Sequence, residues 1–93
     1  MSTEKNSDKR PYAVEDYVDE HRIAAEVAQM IYDARTSAGL TQSELAQLVG
    51  TTQSVIARLE DSEYGRHSLS MLMRIARALG RQLSISMETH PAA

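Results

Sequence analysis

Cysteine is absent from the 93 residues, as are phenylalanine and tryptophan, and only four glycines and two prolines interrupt the chain. Without cysteine there are no disulfides and no thiolate metal sites, which fits a reducing cytoplasm. With no phenylalanine or tryptophan, a core must be assembled from Leu, Ile, Val, Met and Ala, for which a hydrophobic content of 42% suffices. Long apolar runs are missing too. None approaches the roughly 20 residues of a membrane span, and the first ten residues are polar, unlike a signal peptide. The expectation is a cytoplasmic chain of one compact domain with no membrane association.

What is there is helical periodicity. Residues 1–11 are polar and without apolar repeat, a tail rather than part of a domain. From Ala13 onward, Val14, Tyr17 and Val18 share one face, and Ile23, Val27, Met30 and Ile31 continue a stripe at spacings of three and four. The pattern leaves open whether this is one helix or two joined near Glu20. Gly39 supplies a residue able to end a helix in the left-handed conformation. Thr41 then starts another, with Glu44 placed to complete a capping box. A break at Gly50 is followed by Thr51 or Thr52 as the cap of a short helix running to Leu59 or Glu60. Ser68 opens a further helix that carries Leu69, Leu72, Ile75, Ala76 and Leu79 inward and ends at Gly80.

Residues 82–88 change period. Leu83, Ile85 and Met87 alternate with polar neighbours, the pattern of a strand with one apolar face. A lone strand satisfies neither its backbone nor its apolar side. The expected partner is the same strand of a second copy, which makes Leu83, Ile85 and Met87 the dimer interface; the alternatives are an extended tail lying on the helices, or pairing with another protein. The chain thus divides into a tail at 1–11, a helical domain at 12–81, a dimerisation strand at 82–88 and a tail at 89–93.

The two short helices around Gly50 carry the functional signal. Ala46 and Gly50 are small where two helices cross at a steep angle, and Leu45, Val49, Ile56 and Leu59 anchor both to a core, as a helix-turn-helix requires. With those residues inward, the second helix exposes Thr52, Gln53, Ser54, Ala57 and Arg58. Gln53 suits the N6 and N7 edge of adenine, and Arg58 suits guanine or a phosphate. Gln42 sits at a helix N-terminus, where amide and backbone donors meet phosphate. Arg66 and His67, just beyond, are further phosphate candidates. The expected partner is double-stranded operator DNA.

The run from Leu40 to Glu60 resembles the XRE/Cro-type helix-turn-helix family of lambdoid phage repressors, and the similarity extends through Ala78-Leu79-Gly80. That resemblance implies an all-α, lambda-repressor-like domain of five helices, with the terminal strand in a two-stranded sheet between subunits. It implies base contacts by Gln53, Ser54 and Arg58 and phosphate contacts by Gln42 and Thr52. It also implies an internal ion pair between Arg35 and Glu60. Val55 departs from the polar residue some repressors hold there, and meets a thymine methyl in this reading. The run Val55 to Glu60 and the ending Ile75 to Ile85 are similar to HigA-type antitoxins, and HipB-like antitoxins have a similar terminal strand. This narrower resemblance implies a homodimer that represses its own operon and neutralises a RelE-like toxin.

Charge tempers the DNA reading and supports the toxin partner. The chain carries a net charge of −3. The acidic excess lies before residue 37, in Glu15, Asp16, Asp19, Glu20, Glu26 and Asp33 among others, whereas the remainder is balanced. DNA affinity therefore depends on local arginines and on dimerisation, and the acidic helix suits a basic toxin. Arg74, Arg77 and Arg81 share one helix face. His21, His67 and His90 have no metal-ligand spacing. No phosphate loop, paired-carboxylate site or activated nucleophile appears, so neither an enzyme, a cofactor nor a metal is expected. The alternatives are a stand-alone regulator with no toxin, and a protein-interaction inhibitor that does not bind DNA.

Overall fold

A computed structural model describes residues 14–89 of the chain. The expected tail at 1–11, all but the first residue of the one at 89–93, and His90 lie outside the described residues. Four helices follow one another: α1 (Val14–Ser37), α2 (Gln42–Val49), α3 (Gln53–Leu59) and α4 (Leu69–Ala78). With no Gly or Pro between 14 and 37 to break it, α1 is a single helix of 24 residues, about 36 Å long at 1.5 Å per residue. The question of one helix or two is thereby answered. The domain is all-helical among the described residues, with four helices where five were expected.

Local chemistry sets the boundaries. Helix α1 closes with paired bonds from Gly39 N to Thr36 O (2.9 Å) and from Leu40 N to Arg35 O (3.2 Å), with Gly39 at φ +74°. That double closure needs a left-handed residue, which glycine supplies without penalty. Helix α2 opens on the expected capping box: Glu44 N donates to Thr41 Oγ1 (3.1 Å) and Thr41 N donates to Glu44 Oε1 (2.8 Å). Thr52 caps α3 and Ser68 caps α4 through bonds from Val55 N (3.3 Å) and Met71 N (3.0 Å).

The core is small and aliphatic. Ile31 of α1, Leu45, Ala46 and Val49 of α2, Ile56 and Leu59 of α3, and Ile75 of α4 form one buried cluster, with Val27, Leu40, Tyr64, Leu72 and Leu79 packed against it. Every α2 and α3 residue expected to face inward does so. Ala46 is 3% exposed at the crossing, where a larger side chain would push the helices apart. Helix α1 buries Ala28, Ile31 and Arg35, three residues on one stripe, and leaves Ile23 and Met30 about half exposed.

One expectation is corrected here, and another goes unmet in the single chain. Leu69 was placed inward, yet it is 55% exposed. At about 100° per residue the buried line of α4 runs through Leu72, Ile75 and Leu79, and Leu69 shares the outer side with Met73. The strand at 82–88 is the second. Residues 81–89 form neither helix nor strand, because a strand exists only as one side of a hydrogen-bonded ladder, and no other described segment offers one. Leu83 is half-buried, while Ile85 is 68% and Met87 99% exposed.

Candidate nucleic-acid interface

The site begins in the interior. Arg35, in the last turn of α1, reaches Glu60 at the end of α3 with a forked contact: Nε to Oε2 at 2.7 Å and Nη2 to Oε1 at 3.0 Å. Its remaining nitrogen, Nη1, donates to Leu40 O at 2.8 Å, and its guanidinium stacks 5.3 Å from the Tyr32 ring. The hydrogen bond to Glu60 raises the Arg35 pKa above the ordinary arginine value, against the opposing pull of burial. Both side chains are about nine-tenths buried. A two-pronged pair of this kind fixes orientation as well as distance. It locks α3 to α1 at the end far from the turn. The resemblance implied this pair, and the structure contains it.

From Glu60 the network runs outward. Gln42 Nε2 donates to Glu60 Oε1 at 3.0 Å, and Gln42 Oε1 accepts from Gln53 Nε2 at 2.7 Å. Gln53, the first residue of α3, is exposed, whereas Gln42 is half-buried. One hydrogen of the Gln53 amide is used inward. Its other hydrogen and its carbonyl oxygen point to no described partner, the donor–acceptor set that matches the N7 and N6 of adenine. Thr52 adds a second outward group. Its oxygen accepts from Val55 N, which leaves the hydroxyl hydrogen to donate.

The turn between α2 and α3 is held from two sides by three hydrogen bonds. Gly50 takes φ +87°, and both its N–H and that of Thr51 donate to Ala46 O at 2.9 Å. From α4, Arg74 Nη2 donates to Val49 O at 2.9 Å. This contact spans 25 positions and leaves no mark in the local spacing of residues. At the other end of α3, His67 Nε2 donates to Leu59 O at 2.6 Å, and its ring meets Tyr64 edge-on at 5.6 Å.

These contacts sort the expected site residues. Gln53, Ser54 and Arg58 share the exposed edge of α3, and neither Ser54 nor Arg58 has a side-chain hydrogen bond or ion pair among the described residues. Gln42 and Thr52 lie beside them. Val55 is only half exposed and packs against the core, so less of it than expected is offered to a thymine methyl. His67 is turned inward as a cap on α3, because Tyr64 and the free carbonyl of Leu59 give its ring a better place than solvent. Arg66 is exposed, but it lines a shallow pocket with Glu20, His21 and Glu63, a partly acidic setting. Sequence reasoning missed Arg74 and the bridging role of Gln42. Both act through contacts distant in sequence, for which local spacing carries no signal.

Comparison with known proteins agrees with this geometry. The model of the family described as "Helix-turn-helix domain" matches residues 14–88. A protein of Methanothermobacter thermautotrophicus, described as an HTH-type transcriptional regulator, is similar as well. It is 49% identical over 53 residues, which cover 57% of this chain and 75% of that protein. No helix among the described residues is long and apolar enough to cross a membrane.

Proposed function

We propose, from the premise that this chain belongs to the helix-turn-helix domain family, that it is a DNA-binding transcriptional regulator reading operator sequence with the outer edge of α3. The observation that carries this reading is the fixed presentation of Gln53. Its amide is tied through Gln42 and Glu60 to the buried guanidinium of Arg35. A base-reading amide held in one orientation discriminates among base edges better than one free to rotate. Ser54 and Arg58 extend the edge, and Gln42 and Thr52 flank it toward the phosphates.

The finer reading is a homodimeric repressor. One protomer presents a short reading edge on a half of the chain whose charges balance, which favours two half-sites over one. Residues 82–88 supply a self-complementary seam. Paired antiparallel about Ile85, they set Leu83 against Met87, Ser84 against Ser86, and Gln82 against Glu88, with no like charges opposed. A second reading adds an antitoxin role, and one observation favours it. Asp19, Glu20, Glu26 and Asp33 are exposed along α1, a surface that repels DNA and attracts a basic protein such as a RelE-like toxin.

Selection from a randomised duplex pool, followed by gel shift at fixed salt, tests the main reading. The expected result is one enriched sequence with two related half-sites. A pool that emerges unenriched overturns it. Copurification from the native host tests the antitoxin role, which fails if the chain emerges with no basic partner.

A further inference from the structure

Helix α2 ends with a problem that its own sequence does not solve. The last carbonyls of a helix have no partner within it and carry partial negative charge, and the last turn of α2 contains no basic residue. Arg74, on α4, supplies both what is missing and a tether. Its Nη2 donates to Val49 O at 2.9 Å, and a Cβ built at Gly50 would meet that same nitrogen at 3.6 Å. The guanidinium therefore lies directly against the turn. Three residues beyond Val49, Thr52 caps α3 and Gln53 begins it. The Arg35–Glu60 pair fixes α3 at its far end and reaches the near end only through the side chains of Gln42 and Gln53, not through the backbone of the turn.

We infer that Arg74 is a positioning residue for DNA recognition: from α4 it holds the Val49–Thr52 turn, and through the turn it sets where Gln53 and Ser54 meet the DNA. This rests on the DNA-binding reading and goes beyond it, since it assigns a role to a residue whose described contact is with the turn's own backbone. The bond engages Nη2 of the guanidinium with the protein's own backbone, and the contribution inferred for it is geometric. Its neighbours Arg77 and Arg81 line a separate groove with Leu69, Met73 and Ile85, and neither reaches the turn.

The test uses the full chain and the duplex that the wild-type protein selects from a random pool. Arg74→Met keeps the length of the side chain and removes the charged donor. Ordering the released turn on binding is expected to cost about tenfold in affinity. Three results are expected together: binding weaker by about that factor, an unchanged dependence of log K on log salt, and faster amide exchange at Gly50 and Thr51 with Leu45 and Ile56 still protected. Arg74→Lys, which keeps the charge and replaces the guanidinium with a shorter-reaching ammonium, falls between with the same salt slope. It also carries the test if the methionine variant does not fold. The inference is overturned by unchanged affinity. It is overturned equally by a salt slope reduced by about one, the mark of a direct phosphate contact, or by exchange rising throughout the core, the mark of general destabilisation. A wild-type chain that selects no sequence overturns the DNA-binding reading itself, and this inference with it.

Discussion

The amide of Gln53 donates to the amide oxygen of Gln42 at 2.7 Å, and Gln42 in turn donates to Glu60 at 3.0 Å. The first side chain of α3 is therefore oriented by the helix before it. Replacing Gln53 with Ala is expected to cost about 1–3 kcal/mol at one A·T pair of the operator. Gln42→Leu, which leaves Gln53 in place but unheld, is expected to cost about 1 kcal/mol at that same pair. Titration against duplexes with single substitutions checks both. In the double variant the losses do not add, since both act on one contact. Strict additivity refutes the relay.

Arg58 stands one turn further along α3 with no partner among the described residues. Arg58→Ala is expected to cost about 1–3 kcal/mol, confined to one base pair. The same duplex series distinguishes the roles. A loss spread evenly over all duplexes moves Arg58 from base reading to phosphate contact.

Glu60→Ala leaves the buried Arg35 guanidinium without its carboxylate and strips Gln42 of its acceptor. Breaking such a pair from one side is expected to destabilise the fold by about 3–5 kcal/mol. Urea unfolding measures this. Arg35→Met combined with Glu60→Leu removes both charges and is expected to lose much less, because no charge is then stranded. Equal losses in the single and double variants contradict a desolvated pair.

Deleting residues 82–93 removes Ile85 and Met87, which are mostly in water in the single chain. The full-length chain is expected to sediment as a dimer and the truncated protein as a monomer that keeps its helical signal, with a urea midpoint lowered by the lost association. A truncated chain that still sediments as a dimer places the seam elsewhere.

What was legible in the sequence was local. The Thr41–Glu44 box, the caps at Thr52 and Ser68, and the glycine turn at Gly50 rest on residues within a few positions of one another, and each is present. The inward set of α2 and α3 followed from period alone. Leu69 did not, because apolar character says nothing about whether a neighbouring helix reaches the first turn of α4. The strand at 82–88 was legible only as a pattern, since its ladder needs a second chain. Of the site, the exposed edge of α3 was readable, but its support was not. Gln42 to Glu60 spans 18 positions and Arg74 to Val49 spans 25. His67 reads in the sequence as a surface residue, and the fold brings Leu59 O within 2.6 Å of its ring.

The rooting of an outward amide in an interior guanidinium has an evolutionary consequence. Under the proposed function, a lineage that drifts at Arg35 or Glu60 would drift at the same time in the operator it prefers, with no substitution on the outer edge of α3. New specificities would then arise by compensated changes inside the protein, and paralogues with identical reading edges would diverge in target.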